Sequence, residues 1–142
     1  MIYPRQQMVC SLSGRHRLVR TREARVGGSG LVAAALCIPE LASALGIKRR
    51  TGAVNARQAQ TAWAHFERMV AADLRLLPVG PAHFHRAAEL VLDAASALRA
   101  DDALHLACAE AAGAKHMATL DEVLSRNAQR LKIKPVVLRC AP

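Results

Sequence analysis

Leu98-Arg99-Ala100-Asp101-Asp102-Ala103-Leu104-His105-Leu106-Ala107-Cys108-Ala109 is the stretch on which the fold of this chain turns. Alanine and leucine dominate it, and both favour helix. Two adjacent acids stand near its start, where negative charge meets the positive end of the helix dipole. The pattern continues to Ala111 and stops at Gly113, a residue suited to the left-handed conformation that ends a helix. A helix opening at Asp101 or Asp102 is expected. Behind it, His116 to Leu120 is short and largely apolar, as a buried strand would be.

Working outward, the same alternation recurs. Ala82 to Leu98 places Ala87, Leu90, Val91 and Ala94 at helical spacing, and Gly80-Pro81 separates it from a strand-like run, Leu74 to Val79. A helix is expected from Asn55 to about Ala72. Before it, Leu31 to Leu36 reads as a strand. Pro39 suits the first turn of the following helix, where its missing N–H would have no partner anyway. That helix carries Glu40, Leu41, Ala44 and Leu45 and gives way near Lys48-Arg49-Arg50-Thr51-Gly52. At the other end, Asp121 to Leu131 reads as a helix and Val136 to Leu138 as a last strand. Strands alternating with helices imply an α/β fold: a mostly parallel sheet between two helical layers.

Composition bounds the possibilities. A chain of 142 residues, 52% of them hydrophobic and only 3% aromatic, suits one helix-rich domain. Its longest apolar stretch, Leu31 to Ile38, is far below the roughly 20 residues needed to span a bilayer, so no membrane association is expected. Cys10, Cys37, Cys108 and Cys140 are scattered without a CxxC pair, which argues against a zinc site or a secreted disulfide scaffold and suits a reducing cytoplasm. The net charge of +9 is unevenly spread, with six arginines against the single acid Glu23 between Met1 and Gly30. A basic surface attracts nucleic acid or an acidic protein; equally, arginine keeps an Ala/Leu-rich chain in solution.

Three acids occupy informative places. Asp102 stands at a helix start, Asp121 directly follows a strand, and Glu40 lies in the first turn of a helix. In parallel sheets, ligands bind beyond the carboxyl ends of the strands, beside the helix starts. Carboxylates converging there would suit Mg²⁺ or Mn²⁺, ions that activate water and stabilise charge on a phosphodiester. Helix capping accounts for Asp101, Asp102 and Asp121 just as simply, and Glu40 fits an ordinary first-turn acid.

The motif from Leu98 to Ala109 resembles the "LRAxDALHLAxA" segment of PIN-domain toxins of the VapC family. Ala118-Thr119-Leu120-Asp121 resembles that family's "TxD" strand end, and Ile38 to Leu45 its "xxELxxAL" helix. The three come in the family's order between Leu31 and Leu138. The resemblance implies a PIN-like three-layer α/β/α domain and a metal-dependent endoribonuclease toxin. It implies Glu40, Asp102 and Asp121 as the acidic metal site for Mg²⁺ or Mn²⁺, oriented through the Thr119 hydroxyl. It also implies an RNA substrate, an acidic antitoxin partner and a homodimer. Asp101 falls on a variable position and reads as a cap. His105, one turn beyond Asp102 on the same helix face, reads as a core histidine.

One part departs from the pattern. The family opens with a strand ending in an aspartate that ligates metal. Met1-Ile2-Tyr3 resembles the start of that strand, but Pro4-Arg5-Gln6-Gln7 follows, placing Arg5 where the aspartate belongs. An arginine cannot ligate a cation. The codons CCT-CGA-CAG-CAG would encode those four residues and, read one base later, give CTC-GAC-AGC, or Leu-Asp-Ser. A local shift of reading frame would thus explain both the missing aspartate and the patternless, Arg-rich texture up to about Gly28. Residues 1–30 are accordingly expected to stand in aberrantly for the first strand and helix, with the PIN-like domain at 31–142. An organelle transit peptide or a basic arm touching phosphates is the alternative for this segment. If the sequence is literal, a non-catalytic PIN domain that binds antitoxin or RNA is the alternative function.

Overall fold

A computed structural model describes residues 8–10, 31–72 and 74–136. Its elements run β1 (Met8–Cys10), β2 (Leu31–Ala34), α1 (Cys37–Arg50), α2 (Ala56–Ala72), β3 (Leu74–Leu77), α3 (Pro81–Leu92), a 3-10 turn (Ala94–Ser96), α4 (Ala100–Ala111), β4 (His116–Ala118), α5 (Glu122–Arg130) and β5 (Lys134–Val136). The five strands form one sheet in the order β3-β2-β1-β4-β5, and every pairing is parallel. Parallel strands need crossovers, and helices supply them.

Successive residues of β2 face opposite sides of the sheet, as the pleat requires. Val32 joins a core built with α3, α4 and α5, around Leu106, Met117 and Leu124. Ala33 joins a second core built with α1 and α2, through Cys37, Leu41, Leu45, Phe66 and Leu74. The architecture is therefore the expected three-layer α/β/α sandwich. A strand covered on both faces reads as an unbroken apolar run, which is why Leu-Val-Ala-Ala shows no alternation.

Most boundaries agree with the sequence to within a residue or two, and three do not. The helix expected from Ala82 to Leu98 ends at Leu92. Asp93 leaves helical geometry and accepts a hydrogen bond from the Ala95 N–H at 3.0 Å, starting the 3-10 turn. Two side chains of α5 hold the altered path: Asn127 Nδ2 donates to the Ser96 carbonyl and Arg130 to the Asp93 carboxylate. The last strand, expected at Val136 to Leu138, begins at Lys134 and includes Pro135. Proline lacks an N–H, so it is tolerated on an edge strand such as β5. Leu138 lies outside the described residues.

The third difference concerns the amino-terminal segment. Met1-Ile2-Tyr3, the expected strand start, lies outside the described residues. The strand that holds the centre of the sheet is Met8–Cys10, paired with β2 on one side and β4 on the other. It sits in the Arg-rich segment, where no periodicity is legible, because three residues are too few to show a period of two.

Candidate active site

The topology gathers the acids at one edge. α1 begins just after β2 ends, and α5 begins just after β4 ends. α4 runs into the start of β4, so its own first turn lies back at the carboxyl ends of the strands. With β1 flanked by β2 and β4, that edge holds the topological switch point, the usual ligand crevice of such sheets.

Asp102 lies in the first turn of α4 and is only 5% exposed. The helix is capped at Arg99 without any side-chain bond, so capping does not account for the burial of Asp102. Its Oδ1 is buried with no hydrogen-bond partner. Burial pushes its carboxyl above the ordinary aspartate range, and the like charges of Asp101 and Asp121 push it further. Asp101 itself is exposed, consistent with a residue outside the site.

Glu40, in the first turn of α1, has one oxygen buried without a partner, Oε1. Its Oε2 lies 2.6 Å from His105 Nε2. Asp121 is the N-cap of α5, and its Oδ1 accepts from the Leu124 N–H at 2.8 Å. The capping explanation is thus realised for one of its oxygens. Thr119 Oγ1 accepts from the Asp121 N–H at 3.1 Å, which fixes the turn between strand and helix. That contact is to the backbone of Asp121, not to its carboxylate.

His105 is the core histidine expected from its place on the helix. It is fully buried, as a core histidine should be, but its polar partner is an acid of the site. Its place one turn beyond Asp102 was the available signal. Its partner lies 65 positions away and has no local trace.

The donor set suits a hard cation in chemistry: carboxylate oxygens only, two of them buried and unpartnered. Such an oxygen costs roughly 1–3 kcal/mol until something binds it. The geometry is less complete, because among the described residues no three His, Cys, Asp or Glu side chains converge closely enough to hold a metal ion. Nor does the first strand supply a carboxylate. Arg5 precedes β1 in the chain, whereas a ligand at this edge would follow Cys10, where the sequence reads Ser11-Leu12-Ser13-Gly14. With either residue in that role, the acid is missing.

A parallel sheet of this order has its ligand crevice at the carboxyl edge, where the three acids lie. A family model described as "PIN domain" matches residues 13–129, and the chain belongs to that family. PIN domains are commonly nucleases; they generally bind RNA and typically use divalent metal ions. No curated protein matches the chain. No described helix is long and apolar enough to cross a membrane.

Proposed function

We propose that this chain is an endoribonuclease of the VapC-like toxin kind, dependent on Mg²⁺ or Mn²⁺ and acting on RNA phosphodiesters. The observation that carries this reading is Asp102: a carboxylate buried at the carboxyl edge, unexplained by capping, with an unpartnered oxygen. Asp102 and Glu40 would hold the cation through those oxygens, with Asp121 adding charge beside Asp102. When bound, a divalent ion lowers the pKa of water and offsets charge on the phosphodiester. The chain's own groups do the rest. Burial of Asp102 and Glu40 keeps bulk water from their inner oxygens, and Thr119 anchors the turn that presents Asp121. The net charge of +9 draws an RNA polyanion and suits a small acidic antitoxin. A homodimer in the cytoplasm completes the proposal by analogy with the toxin family.

The absent first-strand carboxylate favours a second reading, a non-catalytic PIN domain that retains RNA or antitoxin binding. Cleavage of RNA with added Mg²⁺ or Mn²⁺ separates the two. Cleavage by the unaltered chain, lost in Asp102→Asn, supports the enzyme. Cleavage only after a carboxylate is restored, by Arg5→Asp or Ser11→Asp, identifies an inactive copy of an active scaffold. No cleavage by any of them removes the nuclease reading. The nucleotide sequence over codons 4–30 tests the frame-shift explanation: codons unable to give Leu-Asp-Ser in the shifted frame would end it.

A further inference from the structure

α3 carries more apolar surface than its packing uses. Ala87 and Leu90 face the core, while Arg86 reaches Glu110 on α4 at 2.7 Å and Glu89 at 2.9 Å. A third strip points elsewhere. Phe84, Ala88, Val91 and Leu92 stand at i, i+4, i+7 and i+8, the spacing of a single helix face, and all four are exposed. Leu92 is 84% exposed and Phe84 56%, the two most exposed large apolar residues among those described. A surface helix ordinarily keeps that side polar, and a contiguous apolar strip marks a surface that something covers.

Charge narrows what fits there. The strip holds no Lys or Arg, although the chain carries a net charge of +9, so it offers an acidic partner nothing to bind. One flank of it carries His85 and Glu89, one turn apart and both exposed. A second copy of α3 laid antiparallel, about a two-fold axis beside Ala88, sets His85 of each copy next to the partner's Glu89. A parallel copy would set Glu89 against Glu89. The same two-fold places Phe84 over the partner's Leu92, because the two lie four residues to either side of Ala88. The small alanine between them lets the helix axes approach closely. A two-fold interface has to be self-complementary, and this strip is. We propose that the Phe84–Leu92 face of α3 is the surface through which two copies of this chain associate, antiparallel about Ala88. The inference rests on the homodimer reading above and gives that dimer its surface.

The test is the mass of the full chain in solution, read by sedimentation over a concentration series. The unaltered chain should run as a dimer. Leu92→Asp and Phe84→Asp each put an unpaired charge into the contact and should weaken association roughly thirtyfold or more. Ile47→Asp, at an exposed position of α1, should leave it unchanged. Under mild oxidation Ala88→Cys should cross-link copies faster than Ile47→Cys does, because the two-fold brings residue 88 of each chain face to face. Circular dichroism establishes that each variant folds; Leu92→Ser, polar but uncharged, replaces an aspartate variant that does not. A dimer that survives both aspartates overturns the proposed face and leaves the homodimer standing. So does equal loss in Ile47→Asp, or cross-linking through Ala88→Cys no faster than through the control. A monomeric unaltered chain overturns the face and the homodimer together. In that case a lower Tm for Leu92→Asp assigns the strip to the chain's own residues, and an unchanged Tm assigns it to a different protein.

Discussion

Replacing Asp102 with asparagine should stabilise the metal-free protein and destabilise it relative to the parent once a divalent cation is added. The carboxylate is 5% exposed, and its Oδ1 has no partner. Asparagine keeps the shape and removes the charge, which should recover about 1 kcal/mol of the cost of a buried unpartnered group. For a chain of this size that corresponds to a rise in Tm of roughly 3 °C. The gain depends on pH. Burial raises the Asp102 carboxyl above its unfolded value, so the folded state holds the proton more tightly. The resulting stabilisation is complete below the unfolded value, about 4, and is lost as pH rises through the folded one. The asparagine variant should therefore match the parent below about pH 4 and outrun it at pH 7. With cation at a hundredfold excess over its Kd, the parent gains about 2.7 kcal/mol and the variant little, so the order reverses. Calorimetry at pH 7, in chelator and then in excess MnCl₂, reads both effects. A lower Tm for the variant in chelator would show that Asp102 has a stabilising partner in the folded chain, and an undiminished Mn²⁺ response would show that it is no ligand.

Three further outcomes follow from the packing. Leu106 is fully buried at the centre of the core beneath α4, so Leu106→Ala should cost about 2–5 kcal/mol, visible as a lower urea midpoint at unchanged slope. Ala97 has φ +54°, a conformation that costs an L-residue about 1–2 kcal/mol. After the greater chain entropy of glycine is set against this, Ala97→Gly should raise unfolding stability by about 0.5 kcal/mol, and a loss would show that the methyl group packs. Arg86 grips Glu110 through two nitrogens at 2.7 and 3.0 Å, joining α3 to α4. Both side chains are partly exposed, so Glu110→Gln should cost only about 0.5 kcal/mol. The difference should shrink as salt is added, and a salt-independent loss would point to packing instead.

Much of the fold was legible in the chain, because burial on one face or two leaves a period in the residues themselves. The all-apolar β2, the alternation of strand-like and helix-like runs and the stop at Gly113, whose φ is +67°, are local signals. So is the order of Glu40, Asp102 and Asp121 along the chain, which the parallel topology converts into a common edge. Boundaries set by distant side chains left no such trace. α3 stops where it does because Asn127 and Arg130, on α5 in the same layer, hold the Ser96 and Asp93 positions. Pro135 can lie in a strand because, among the described residues, nothing pairs beyond β5 at that end of the sheet.

The same division runs through the site. The sequence by itself determined which acids could meet, since helix starts and strand ends are local properties of the chain. Only the tertiary structure decided what each acid does there. Asp121 spends an oxygen on its own helix, Asp102 caps nothing, and Glu40 is gripped by a histidine 65 positions away. A buried polar group must find its partner wherever packing brings one, and that partner is set by which helices meet across the sheet rather than by neighbours in sequence.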